Sequence, residues 1–125
     1  MVSPRRGFTL IELLVVLAII ATLLTIALPR YFASVEKSKE AVLRENLYVT
    51  RDAIAKYYAD RGKYPESLEA LTTDKYLRNL PIDPMTESNA TWVIVPPDDL
   101  KKGSVYDIKS GAPGTASDGK PYSEW

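Results

Sequence analysis

From Phe8 to Leu28 the chain runs for 21 residues, and Thr9, Glu12, Thr22 and Thr25 are the polar ones among them. About 20 apolar residues in a helix cross the hydrocarbon layer of a bilayer. This run therefore limits the fold before anything else does, because its surface must meet lipid or other copies of itself. The whole chain has 125 residues, so what remains allows one modest domain built around a small core. Arg5 and Arg6 precede the run and Arg30 follows it. That imbalance favours an N-terminus in the cytoplasm and a C-terminal part outside.

A conventional secretory signal has a core of about 7–15 residues followed by a small-x-small cleavage site. Here the run is longer and ends in Leu28-Pro29-Arg30-Tyr31, and the small residue, Gly7, lies in front of it. A plain anchor explains everything but Glu12. An acidic side chain at mid-bilayer costs about 2.5–3.5 kcal/mol on insertion scales, and less near the interface. No Lys or Arg lies between Phe8 and Leu28 to offset it. A counter-ion arises if the chain is cut after Gly7. Phe8 then carries a new ammonium group, and Glu12 is four residues along, a spacing that shares a helical face. The pairing can be made within one helix or between copies, and an uncut copy has no amine to offer.

Composition removes most chemistry. Lys+Arg and Asp+Glu are both 16, so there is no basic excess of the kind nucleic-acid binding requires. The chain has no Cys and no His. Disulfides and thiolate chemistry are excluded, and so are the commonest general base and the commonest metal ligand.

The order of features in "RRGFTLIELLVVLAIIATLLTIALP" resembles the class III prepilin signal of type IV pilins and type II secretion pseudopilins. That resemblance implies cleavage between Gly7 and Phe8 by the prepilin peptidase and N-methylation of Phe8. It implies that Glu12 pairs with a neighbouring subunit's amine and governs filament entry. It also implies a kink at Pro29, or local melting there when subunits pack, the alternative being that Pro29 simply marks the membrane exit. Proline independently removes the amide that would bond the Thr25 carbonyl.

Arg30 to Arg61 reads as an amphipathic continuation of the same helix. Leu43, Leu47, Ile54, Tyr57 and Tyr58 recur at helical spacing. Lys37, Lys39, Glu40, Arg44, Glu45, Arg51 and Lys56 are expected mostly on the opposite face. Glu36–Glu40 is a repulsive spacing and Glu40–Arg44 an attractive one, each worth about 0.2–0.5 kcal/mol. Gly62 is the expected C-terminal cap, and Pro65 stops the helix from resuming. Tyr57, Tyr58 and Tyr64 are expected to pack the helix end against a sheet.

Beyond Gly62, Ser67 to Leu71 can form a short helix or turn, with Leu68, Leu71, Tyr76, Leu77 and Leu80 buried. Thr91–Val95 and Val105–Ile108 read as two strands, with Trp92, Ile94, Tyr106 and Ile108 toward the helix. Two strands are marginal alone and need the helix behind them. The tail after Lys109 is rich in Gly, Pro and Ser, a disordered composition. It nonetheless carries Tyr122 and Trp125, which can dock on the sheet. The segments Tyr64-Pro65, Ser67–Leu71 and Leu80-Pro81-Ile82-Asp83-Pro84 follow the order of the loop in the major pseudopilins, protein G-like. Met85-Thr86 stands where that family has Trp-Gly.

The expected fold is α+β: a long N-terminal spine helix with a membrane-spanning half and an amphipathic half, and a small antiparallel sheet on its C-terminal half. The expected organisation is a cleaved leader (residues 1–7), an assembly helix (8–29), a spine helix (30–61) and a periplasmic part (62–125). The resemblance implies a calcium site in the tail. Calcium takes six to eight oxygens. Asp118 is the one carboxylate that carries over, with Ser110, Ser117 and Asp107 near it in sequence. The alternative is a polar turn at Ser117-Asp118-Gly119. No cofactor is otherwise required.

The function implied is a structural subunit of the type II secretion pseudopilus and not an enzyme. The implied partners are copies of itself, the prepilin peptidase, the inner-membrane platform with its assembly ATPase, and minor pseudopilins. The implied location is the bacterial inner membrane and a periplasmic fibre. The alternative is a type IV pilin of a surface pilus. The absence of Cys and the short C-terminal part favour the pseudopilin.

Overall fold

A computed structural model describes residues 7–125. The expected basic leader, with Arg5 and Arg6, therefore lies outside the described residues apart from Gly7. Helix α1 spans Leu10–Arg61, 52 residues. It ends where Gly62 adopts a left-handed φ of +72° and donates its amide to the Tyr58 carbonyl at 2.8 Å. A residue without a Cβ is the ordinary way to turn a chain out of a helix. The helix runs through Pro29. Thr22 and Thr25 donate their hydroxyls to the carbonyls of Ala18 and Thr22, at 2.8 and 2.6 Å.

The chain divides into two compact units, one up to Glu36 and one from Lys37 onward. In the first, every described residue up to Ser34 is exposed, the whole apolar run included. In the second, α1 contributes Leu43, Leu47, Thr50, Ala53, Ile54 and Tyr57 to the core. The stripe also includes Glu40, which is 5% exposed. This corrects the expectation that Glu40 belongs with the outward charges. The step from 40 to 43 to 47 continues the buried stripe at helical spacing, and the tail supplies hydrogen-bond donors there.

Helix α2 (Leu68–Thr73) is capped by Ser67, whose Oγ accepts the Ala70 amide at 3.3 Å. It buries Leu68 and Leu71 as expected, whereas Tyr76, Leu77 and Leu80 are only half-buried against the same core. Three of the polar contacts that fix the Leu80–Pro84 segment come from distant parts of the chain. Trp92 Nε1 donates to the Pro81 carbonyl and Asn46 Nδ2 to the Ile82 carbonyl, both at 2.8 Å. The Ser110 hydroxyl donates to the buried Asp83 carboxylate.

Strands β1 (Val93–Val95) and β2 (Asp107–Lys109) pair antiparallel, with Ile94 opposite Ile108. Both are shorter than expected. The Val105 amide is taken by the Pro65 carbonyl at 2.9 Å, so the ladder starts only at Tyr106, whose amide bonds Val95. Trp92 and Ile108 are buried as expected. Ile94 and Tyr106 are not, at 39% and 52% exposed, and Val105 takes the inner place instead. Trp92 precedes β1, so strand alternation does not carry its burial over to Ile94. Gly103 (φ +115°) lies where Lys102 accepts the Tyr64 amide. A Cβ there would sit 2.2 Å from the Tyr64 carbonyl oxygen. The tyrosines do pack the helix end: Tyr58 stacks on Tyr64, and Tyr64 meets Tyr106 edge-on.

Candidate assembly site

Gly7 and Phe8 precede α1 and are exposed, Phe8 at 86%. A peptide outside the helix can be reached by a protease without unwinding hydrogen-bonded turns. Thr9 is the last residue before the helix. Its carbonyl accepts the Leu13 amide at 3.2 Å. Its hydroxyl accepts the Glu12 amide at 3.1 Å, and Glu12 Oε2 accepts the Thr9 amide at 3.4 Å. This reciprocal pair is a capping box, which satisfies two amides that a helix start leaves open. The sequence carries the signal as Thr9-x-x-Glu12, beside the charge that Glu12 brings into the apolar run.

The geometry also revises how Glu12 meets Phe8. Helix α1 starts at Leu10, so Phe8 does not share a helical face with Glu12 at four residues' spacing. The carboxylate instead reaches back along the chain to Thr9, one residue from the nitrogen that cleavage would free. It also sits in the first turn, where the helix dipole favours negative charge. Pro29 lies far along the same helix and contributes nothing to this cluster.

The tail is ordered around two helix side chains. Glu40 accepts the Ser117 amide at 2.8 Å, the Ser117 hydroxyl at 2.7 Å and the Tyr122 hydroxyl at 3.3 Å. These donors, Ser117 foremost, and the nearby Arg44 hold its carboxyl below the usual 4.5 against the opposing effect of burial. Arg51 donates to Asp107 at 2.7 Å, to the Ile108 carbonyl at 3.0 Å and to the main-chain oxygen of Trp125. It thus ties β2 and the tail to one position on the helix. Arg44 lies over the Trp125 ring at 4.6 Å.

Asp118 is engaged by groups of the chain itself. Its Oδ1 accepts the Lys120 amide at 3.0 Å, and its Oδ2 faces the Arg44 guanidinium at 3.9 Å. Asp107 is held by Arg51, and the Ser110 hydroxyl by Asp83. Among the described residues no three acidic side chains converge as a metal site. Ser117-Asp118-Gly119 forms a turn, with the Gly119 amide on the Ala116 carbonyl at 3.0 Å.

An apolar helix long enough to span a membrane, started by a capped Thr-Leu-Ile-Glu and followed by a small α+β domain, defines a filament-subunit class of fold. Comparison with known proteins agrees. Residues 2–28 match the prokaryotic N-terminal methylation motif. The chain is 30% identical to fimbrial protein EcpC of Eikenella corrodens, over 92% of this chain and 78% of that protein. It is 28% identical to type II secretion system core protein G of Pectobacterium carotovorum subsp. carotovorum, over 91% of this chain and 82% of that one. It is 31% identical to type IV major pilin protein PilE1 of Neisseria gonorrhoeae, over 84% of this chain and 47% of that pilin. No solved structure matches. The chain belongs to the pilin superfamily, which joins type IV pilins and type II secretion pseudopilins, and is a structural subunit of that kind.

Proposed function

We propose that this chain is a major-type subunit of a type II secretion pseudopilus. Copies stack through their apolar helices into a periplasmic fibre whose growth moves folded cargo outward. The subunit does no chemistry of its own. Prepilin peptidase frees Phe8, which is then N-methylated. Glu12 accepts the resulting ammonium of a neighbouring copy, and Pro29 loosens the helix during packing. The inner-membrane platform, its ATPase and minor pseudopilins complete the machine.

The observation that carries the secretion reading is the ordered Leu80–Pro84 segment, pinned by Trp92, Asn46 and Ser110, whose order of residues resembles that of the major pseudopilins. The matches to core protein G over most of both chains support it. A second reading, a surface pilus subunit, is favoured by the match to fimbrial protein EcpC across most of both chains. Deleting the gene separates the two. Loss of exported enzymes from the medium, with surface fibres intact, is expected. Loss of surface fibres with export intact would transfer the chain to the pilus.

A further inference from the structure

The first unit poses a problem that the capping box does not solve. Before assembly, Glu12 belongs to a helix whose described residues up to Ser34 are all exposed, so the side chains of this unit offer the carboxylate no burial. In a bilayer those side chains face lipid.

The far end of the run carries a distinctive group. Arg30 is the first charge after Glu12. Tyr31 and Phe32 follow it, exposed at 63% and 62%, their rings edge to face at 5.8 Å. An arginine next to amphipathic and apolar rings is the composition of a membrane–water interface, where rings sit at headgroup level and a guanidinium reaches phosphate. From Glu12 to Tyr31 is a step of 19 residues in one helix. At about 1.5 Å per residue that is roughly 28 Å, close to the roughly 30 Å thickness of the hydrocarbon layer.

We infer that Arg30, Tyr31 and Phe32 form an interfacial anchor for a phospholipid bilayer, set one hydrocarbon thickness from Glu12. With the aromatic pair at one interface, the carboxylate lies at the other, beside water and headgroups. The unassembled subunit then avoids the mid-bilayer cost of its acid. The side chain is drawn from the interface only when a neighbour's amine meets it. The inference rests on the membrane-spanning reading of α1, and its test separates the two.

The chain has no Cys, so single labels can be placed cleanly. Full-length Leu13→Cys, Ala21→Cys and Ala33→Cys, each spin-labelled, are inserted at low protein-to-lipid ratio into phosphatidylcholine vesicles. Depth is read from the balance of oxygen and nickel accessibility. Labels at 13 and 33 are expected at headgroup level, and the label at 21 at the bilayer centre. Adding Tyr31→Ala and Phe32→Ala together should shift the label at 21 by about 3 Å or more, two residues' rise. A water-accessible label at 21 would overturn the spanning reading itself. A deep label at 21 with an equally deep label at 13 would overturn the register alone. So would depths that ignore the double alanine variant. Spin–spin broadening at 33 would assign the aromatic pair to a second copy instead of lipid, and would overturn the anchor.

Discussion

One helix carries two different kinds of apolar surface. Up to Glu36 the apolar residues cover the whole circumference, and Leu14, Leu17 and Ile19 are each about half exposed or more, at 57%, 53% and 54%. Beyond Lys37 one stripe is buried, with Leu43 and Leu47 at 0% and 2% exposed, while Val42, Tyr48 and Val49 stay exposed beside it. A stripe is satisfied by one partner, here the short helix, the sheet and the tail of the same chain. A full circumference is satisfied only by a medium or by many neighbours. The same secondary structure therefore serves folding at one end and assembly at the other, and substitutions at the two ends should separate those properties.

Glu12 offers the widest separation. Glu12→Ala should reduce fibre assembly by an order of magnitude or more, while insertion, cleavage and the melting of residues 37–125 stay unchanged. Glu12→Gln sharpens the result. Glutamine keeps the capping box but loses the charge, so it should assemble as poorly as alanine. Fibres at wild-type level from Glu12→Gln would make the cap, not the ion pair, the function of this side chain.

Next come the apolar positions. Leu71 is 0% exposed against the folded stripe, so Leu71→Ala should destabilise by about 2–5 kcal/mol through lost burial and a residual cavity. Leu17→Ala, on the open circumference, should leave the melting temperature in detergent where it was. Equal shifts at both positions, read by thermal denaturation, would erase the distinction between the two halves.

Much of this was legible in the sequence. The helix from the apolar run to Arg61, the cap at Gly62, the Ser67 start of α2 and the buried leucines follow from period and punctuation. Glu40 and Arg51 were not legible. A charge on an amphipathic helix reads as solvated unless its partners are known, and Glu40's donor Ser117 is 77 positions away. Strand limits failed for a similar reason. The Val105 amide was claimed by Pro65, a tertiary contact that no local pattern encodes. At Glu12 the local signal exists as Thr9-x-x-Glu12, but the surrounding apolar run makes the same carboxylate read equally as a charge in lipid.

Glu40 itself gives a pH signature. Its folded value is lowered by Ser117, Tyr122 and Arg44. A lowered carboxyl contributes stability that is fully present above the unfolded value, near 4.5, and is lost as pH falls through the folded one. Glu40→Gln should cost about 1–2 kcal/mol at neutral pH, with a smaller loss of melting temperature on acidification than the wild type. Parallel pH profiles for the two proteins would remove Glu40 as the acid-sensitive fastening of the tail.

The smallest expected effect concerns calcium, and it follows from the same fastening. The resemblance to the major pseudopilins implies a cation that draws the tail together. Here Glu40 receives Ser117 and Tyr122, while Arg51 receives Asp107 and the Trp125 main chain. The guanidinium of Arg44, facing Asp118, opposes a second positive charge. Chelator or added calcium should therefore leave the melting temperature of the wild type unchanged. Asp118→Ala should cost no more than about 1 kcal/mol, the range of an exposed ion pair. A calcium-dependent rise in melting temperature that Asp118→Ala abolishes would show that the tail rearranges around an ion, and that the side-chain fastening is only one of its states.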